Sequence, residues 1–431
     1  MGFFICMQNL IMKLYLYVLF IISISFIFSS TINEIKIIGN KKTKLHIIKR
    51  EVLHPIPGSF DSLLTKEDRD RIYNLGLFST VKVENIDSIY IITVNETFSV
   101  LPIPLIEYEE GKGFSYGASI ILLNFRGLNE KVALGGTFGN ENMYFFEYRN
   151  PWAYGNHGSL SAEIYKYSTQ SAIYDYQYKN KGFEIGTGIY IGKKHRFNSI
   201  IGIQNILMNV VKNYSADYIK FPTPDYLSEY NYLFGEFKYI YDTRDIYNDP
   251  TKGERVKFFL KPKLGIKSTI SRLSFYFSFN KFIQLNQMIL DPIISFKTQI
   301  LIKYNKQLPI FENISIGGEE YVRGYSPVTQ ENSFHVHNKI EGSQVLYQHI
   351  QLQHTLLSKK DYFGIETGLD IVYFVDFGTT SKNIKLFQIS NIIYGYGIGL
   401  RFFISGPGVI GIDLGFNPYG TWFIHPKGGD F

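Results

Sequence analysis

The 431-residue chain contains one cysteine, Cys6. It lies upstream of the expected mature start, so the working protein is expected to hold no disulfide, no cysteine-ligated metal and no thiol nucleophile. Long uncharged apolar runs are also scarce. The exception is LYLYVLFIISISFIF (14–28), which follows Lys13 and precedes Ser29-Ser30-Thr31. Some fifteen apolar residues suit a signal-peptide core better than a spanning helix. Residues 1–30 are therefore read as a signal peptide, with an uncleaved anchor as the alternative and Met12 as an alternative start. Either way the chain leaves the cytoplasm. Basic blocks are missing too. The net charge of +6 is spread along the length, which leaves no footprint for nucleic acid and at most a mild attraction to anionic surfaces.

Catalytic signatures are absent. There is no phosphate-binding loop or dinucleotide fingerprint, no nucleophile elbow and no carboxylate pair that argues for glycosidase work. His335 and His337 form His-x-His with no third ligand spaced nearby. The chain is read as a non-enzyme with no catalytic residue, cofactor or metal.

What the chain has is aromatic residues, 16% of the total, and 38 glycines, a mixture that suits many strands with aromatic anchors and glycine-containing turns. Residues 32–97 read apart from the rest. INEIKIIGN alternates as a strand and closes on the turn pair Gly39-Asn40. TKLHIIKREVLH (43–54) carries apolar residues at helical spacing, and PIPG breaks it. A second helix is expected to start at Thr65 as N-cap, with Glu67 and Asp68 in its first turn, and to end at Gly76. LFSTVKVEN and SIYIITVNE read as a hairpin around Ile86-Asp87. The order β-α-α-β-β predicts a small α+β module.

From residue 101 to 431 the pattern is strand after strand. In GFSYGASIILL, Phe114, Tyr116, Ala118, Ile120 and Leu122 share one face, while Ser115, Gly117 and Ser119 share the other. YGYGIGLRFFI likewise sets Tyr396, Ile398, Leu400 and Phe402 against Gly395, Gly397, Gly399 and Arg401. Strands of about 9 to 14 residues exceed those of soluble sandwiches and match tilted membrane strands. In lipid such a sheet has to close, because an open edge leaves backbone groups unpaired. Sixteen strands are expected: 102–110, 113–124, 130–139, 142–149, 157–168, 181–192, 195–208, 230–241, 252–265, 271–284, 289–304, 345–356, 363–376, 391–404, 408–416 and 420–431. The fold class is thus mostly β, a sixteen-strand antiparallel transmembrane barrel after one small module. The gap 305–344 is too long for an ordinary connection and is expected to be functional or disordered.

That gap contains GGEEYVRGY (317–325), with Arg323 among glycines and tyrosines. On the strand GIETGLDIVYFVDFG, Glu366, Asp370 and Asp376 fall on one face by period two and predict an acidic luminal wall. Arg323 folded into the lumen could pair bidentately with one of them. The alternative reading is a solvated loop arginine with acids that face channel water.

Several stretches, in order, carry a family resemblance. IKIIGNKKTK and NLGLFSTVKV look like a POTRA module. YDTRDIYNDPTKG, with Asp242, Arg244, Asp245, Pro250 and Gly253, is similar to a superfamily strand-turn motif. Gly317-Gly318 with Val322-Arg323-Gly324-Tyr325 matches its loop signature. FVDFG, with Asp376 and Gly378, matches its strand motif, and GYGIGLRFFISGPGVIGIDLGF and the terminal Phe431 fit its last strands. The chain resembles the BamA-type outer-membrane protein assembly superfamily (bacterial surface antigen family) along essentially the whole mature length. The resemblance implies an outer-membrane location with the module in the periplasm, and an Arg323–Asp376 contact that pins an in-folded loop. It also implies insertion of client barrels by β-augmentation at a seam between the first and last strands. Pro102, Pro104, Pro426 and Gly428 would weaken that seam, since proline cannot donate to the ladder. Partners implied are the bilayer, unfolded client barrels and periplasmic chaperones or accessory lipoproteins. The family usually places an acid on the strand before FVDFG. Gln351 stands at about that position here and predicts a less acidic site. A two-partner-type secretion pore, which usually has two POTRA modules and a plug helix, and a simple porin are the rival readings. A bacterial precursor is favoured by the signal-like N-terminus, with an organelle setting left open.

Overall fold

In the N-terminal module, one buried carboxylate ties the two helices to the sheet. The computed structural model describes residues 31–109, 113–139, 142–155, 158–170, 176–210, 229–267, 271–285, 292–305, 308–326, 340–362, 365–383, 391–404 and 408–427. The expected signal peptide with Cys6, the pair His335 and His337, and the seam residues Gly428 and Phe431 lie outside the described residues. The module's elements are β1 (Thr31–Ile32), β2 (Glu34–Ile38), α1 (Leu45–Lys49), β3 (Gly58–Ser59), α2 (Ser62–Tyr73), β4 (Phe78–Ile86) and β5 (Ile89–Glu96). β5 lies between β2, which it pairs in parallel, and β4, its antiparallel hairpin partner. Ile47, Ile48 and Ile72 from the helices pack on Tyr90, Ile92 and Val94 from the sheet.

The expected helix over 43–54 is short, because the Leu53 amide donates to Asp68 Oδ1 (2.7 Å) and the chain turns away after Lys49. The N-cap of α2 is Asp61 rather than Thr65. Asp61 is extended, and its carboxylate accepts from the amides of Leu63 and Leu64, while the Thr65 hydroxyl donates back to the Asp61 carbonyl at 2.8 Å. Gly76 stands just past the helix with φ +70. Asp68 also accepts from the Tyr90 hydroxyl (2.9 Å) and faces His54 Nδ1 at 2.8 Å. Because His54 Nε2 accepts from the Asp61 amide (3.1 Å), the proton sits on Nδ1 and is donated to Asp68. Asp68→Ala strands these three donors and is expected to destabilise the module by about 3 kcal/mol. Hydrogen exchange at the Leu53 amide in the full chain checks this. Unchanged protection would show that the carboxylate contributes little.

The rest of the chain forms one sixteen-stranded antiparallel sheet. Its first eleven strands are β6 (Val100–Glu109), β7 (Gly113–Phe125), β8 (Glu130–Gly139), β9 (Asn142–Asn150), β10 (Gly158–Gln170), β11 (Tyr176–Ile191), β12 (His195–Val210), β13 (Glu229–Asp242), β14 (Gly253–Ile266), β15 (Arg272–Gln284) and β16 (Ile293–Tyr304). The following segment is not strand-free as expected: β17 (Ile314–Ser315) pairs with β18 (Glu341–Gly342) within it. The sheet resumes with β19 (Gln344–Tyr362), β20 (Ile365–Ser381), β21 (Ile393–Ile404), β22 (Gly408–Phe416) and β23 (Trp422–Lys427).

Alternation sorts the two faces. Phe114, Tyr116, Ile120, Tyr394, Tyr396, Leu400 and Phe402 are exposed, while Ser115, Ser119 and Arg401 are buried. So broad an apolar outer face is stable against lipid, not against water. The sheet curls on itself. Phe311 stacks near Tyr178 of β11, and twelve residues later Arg323 reaches β20 and β22, strands far from β11 in sheet order.

Candidate functional site

The site is the segment 310–326 folded into the lumen, together with the wall it touches. Its turn is built locally: the Gly318 amide donates to the Val322 carbonyl (3.2 Å) and the Val322 amide to the Ile316 carbonyl (2.9 Å). Gly317 and Val322 form a bridge. Val322 and Tyr325 then bury with Ile316, Ile340, Val345, Tyr347 and Ile393, and Val322 rests against Gly378 of the wall, where a Cβ would lie 2.7 Å from its methyl. The apolar flanks thereby carry Arg323 into the wall.

Arg323 meets Asp376 through a fork, Nε to Oδ2 at 2.8 Å and Nη2 to Oδ1 at 3.0 Å, and its amide adds a bond to Oδ2 at 3.1 Å. Nη1 donates to Asp413 Oδ2 at 2.8 Å. Arg401 closes on the same carboxylate at 2.7 and 2.9 Å. The guanidinium lies 3.4 Å from the Phe374 ring centroid. Asp376, Arg323, Asp413 and Arg401 thus alternate in sign, and all four are buried. Two cations and two anions in contact give each buried charge a partner, the condition under which such a cluster is tolerated. His349 Nδ1 lies 2.5 Å from Asp376 Oδ1 and 2.8 Å from Arg323 Nη2. A carboxylate only accepts, so Nδ1–H donates to Asp376 Oδ1 alongside Arg323 Nη2, and the Nη2–Nδ1 approach is a contact between two donors rather than a hydrogen bond.

Backbone contacts complete the clamp. The Gly324 amide donates to His425 Nε2 on the last strand (3.0 Å), and Asn417 Nδ2 donates to the Gly324 carbonyl (2.6 Å). Gly324 has φ +92, a conformation that costs other residues. Gly395 and Gly415 make the groove: a Cβ there would stand 1.8 Å from the Arg323 carbonyl oxygen and 2.4 Å from the Gly324 nitrogen respectively.

The three acids expected on the luminal wall take three different partners, only one of them a cation. Asp376 is neutralised by Arg323; Asp370 accepts from Gln353 (2.9 Å); and Glu366, at the module end, accepts from the Tyr73 hydroxyl of α2 (2.8 Å). Gln351 is not the neighbour of the pair. It pairs in register with Phe374, whereas His349 stands opposite Asp376. Asp413, Arg401, His349 and His425 were not singled out from sequence. Arg401 and Asp413 are on neighbouring strands inside glycine-flanked alternation, GLR and GID, a signal that only the hairpin register turns into a contact. A second anchor holds the loop's first limb, where Glu312 accepts Lys303 at 2.9 Å and also meets Arg272.

The turn after β13 is a buried scaffold. Arg244 forks onto Asp242 at 2.9 and 2.8 Å and donates to the Tyr247 carbonyl (2.8 Å). Asp245 accepts from the Thr251 amide and hydroxyl. Pro250 lies in the turn, and a Cβ at Gly253 would come 2.4 Å from the Thr243 carbonyl. Asn74 of the module reads this scaffold with both amide atoms, donating to the Asp245 carbonyl (2.7 Å) and accepting from the Tyr247 amide (2.9 Å).

At the seam, Pro102 and Pro104 pair in register with Ile120 and Ala118, and Pro426 with Ile412. Among the described residues no ladder joins β6 to β23. No metal-ligating cluster occurs among the described residues.

Residues 124–419 match the Omp85 superfamily domain, and residues 30–100 match POTRA, the surface antigen variable number repeat. No curated protein matches the chain. Among solved structures, BamA from Haemophilus ducreyi lacking POTRA domains 1-3 is 17% identical, with 92% of this chain and 84% of that chain covered at a TM-score of 0.56. CdiB from Escherichia coli is 12% identical (92% and 74% covered, TM-score 0.57), and CdiB from Acinetobacter baumannii 11% (92% and 73%, TM-score 0.53). At these identities the likeness is one of fold.

Proposed function

Because the chain belongs to the Omp85 superfamily, an outer-membrane group of barrels with periplasmic POTRA modules, we propose that it inserts client β-barrel proteins into the outer membrane. The first and last strands part, and the exposed edge templates a client strand through backbone hydrogen bonds. The observation that carries this reading is the seam: β6 and β23 share no ladder among the described residues, and Pro102, Pro104 and Pro426 within these two strands have no amide to donate to one. The in-folded loop touches the seam directly, through Gly324 and His425, so it supports the last strand from the lumen. The module's own edge strands hold the client beforehand by the same chemistry, and chaperones or lipoproteins deliver it.

Cysteine pairs that join residues 100–105 to 422–427 test the seam. Cys6 is the only native cysteine, which keeps the background low. Cross-linked protein is expected to stay folded and lose insertion, with recovery on reduction. Full activity of the locked form would overturn the seam mechanism. A secretion pore, favoured by the likeness to CdiB, would have to clear the lumen instead. Val322→Cys with Gly378→Cys places two sulfurs within bridging reach, given the 2.7 Å approach of these positions. Insertion is expected to survive this loop lock, and export through the lumen would not.

A further inference from the structure

Where the module meets the barrel mouth there is a cavity of about 430 Å³, the size of a small ligand site. Its charges do not balance. Arg50, Arg71, Lys193 and Arg196 line it against one carboxylate, Glu51. Arg71 is committed to Glu51 at 2.7 Å, and Lys193 stands 3.5 Å from Glu67. Arg50 and Arg196 make no close ion pair among the described residues; both feel the Glu51 carboxylate only at longer range, while Arg71 holds it directly. Arg196 donates through Nη2 to the Tyr247 hydroxyl (2.8 Å), but its Nε is buried without an acceptor, and so is the Trp152 indole nitrogen. Such donors are costly to leave unpaired.

The walls are aromatic. Trp152 stacks on Tyr190 at 5.3 Å, Arg50 lies 4.4 Å above the Trp152 ring, and Arg196 sits between Tyr190 and Tyr247 at 5.4 and 5.0 Å. Burial lowers the Arg50 pKa and raises that of Glu51, as expected where charge is held away from water.

We propose that this cavity binds a carboxylate of an extended client polypeptide, between Arg50 and Arg196, with the Trp152 indole N–H as a third donor. The inference rests on the reading of the protein as a client-handling factor. A membrane lipid fits poorly: Ile189, Ile191 and Phe197 face outward, so by alternation Tyr190 and Arg196 face the lumen. A planar guanidinium recognises carboxylate by paired donors, and aromatic walls suit the adjoining apolar side chains.

The chain has two tryptophans, Trp152 and Trp422. In full-length Trp422→Phe protein in detergent, Trp152 becomes the sole indole reporter. Three ten-residue peptides of alternating apolar and polar residues are titrated: a neutral one with a free C-terminus, the same peptide amidated, and an amidated one with an internal glutamate. The free acid or the glutamate peptide is expected to shift Trp152 emission, which tells a chain terminus from a side chain as the source, and the neutral amide is not. Arg196→Gln is expected to weaken binding about tenfold or more, with Arg196→Lys in between. Heat-modifiable migration shows that each variant is folded. Equal binding of the neutral amide, no response to any peptide, or an unchanged Arg196→Gln affinity overturns the proposal. So does inorganic phosphate saturating the site as readily as the peptides, which would mark an adventitious ion only. Depletion tests the wider reading separately: if client barrels still assemble without the protein, insertion itself is wrong whatever the peptides do.

Discussion

Arg323→Ala is expected to release the in-folded loop and abolish function. The substitution leaves Asp376 and Asp413 buried with their shared cation gone, and removing one partner of a buried charge set costs about 3–5 kcal/mol. Arg401 still serves Asp413, and His349 still faces Asp376, so the sheet survives and the loss falls on loop docking. The check is limited proteolysis within 310–326 in detergent, beside an insertion assay. Asp376→Ala should behave much like Arg323→Ala, and the double variant should fall well short of the sum, since both delete one interaction. Two harmless singles with an additive double would mean that the pair contributes nothing. Arg323→Lys should rescue only in part, because an ammonium cannot fork onto Asp376 and reach Asp413 at once.

Gly395→Val is expected to produce the same released loop without removing any charge. A Cβ at that position would stand 1.8 Å from the Arg323 carbonyl oxygen, and the obstacle is backbone, which cannot rotate away as a side chain would. Gly395 pairs in register with Asp376 on β20 and faces the lumen, so the strand can keep its ladder while the loop is driven off. Proteolysis should report an open loop and migration an intact barrel. A fully active, protease-resistant Gly395→Val protein would refute the groove. Combined with Arg323→Ala, it should add little, because the loop can be released only once.

Much of the fold was legible. Each barrel strand was placed to within a few residues at most ends, because period-two alternation with aromatic and small residues is a local signal. Some misplaced details have a distant cause and some a local one. Asp68 takes the Leu53 amide and shortens α1; Asp61 caps α2 in place of Thr65; and β17 with β18 pair inside the loop. The site was half legible. Arg323 and Asp376 stood out in their motifs, but alternation names a face and not a neighbour. It offered Glu366, Asp370 and Asp376 alike, whereas they bind Tyr73, Gln353 and Arg323 respectively.

By itself the sequence determined the number of strands, which face of each meets lipid, and that one long segment with an arginine had to leave the wall. These follow from local periodicity and from the cost of unpaired backbone in a bilayer. Only the tertiary structure decided that Asp413 and His425, some 90 and 100 residues beyond the loop, would meet it, that His349 rather than Gln351 would oppose Asp376, and that two buried cations would share two buried anions. Closure of the sheet sets those distances, and a buried charge takes the partner that closure brings within about 3 Å.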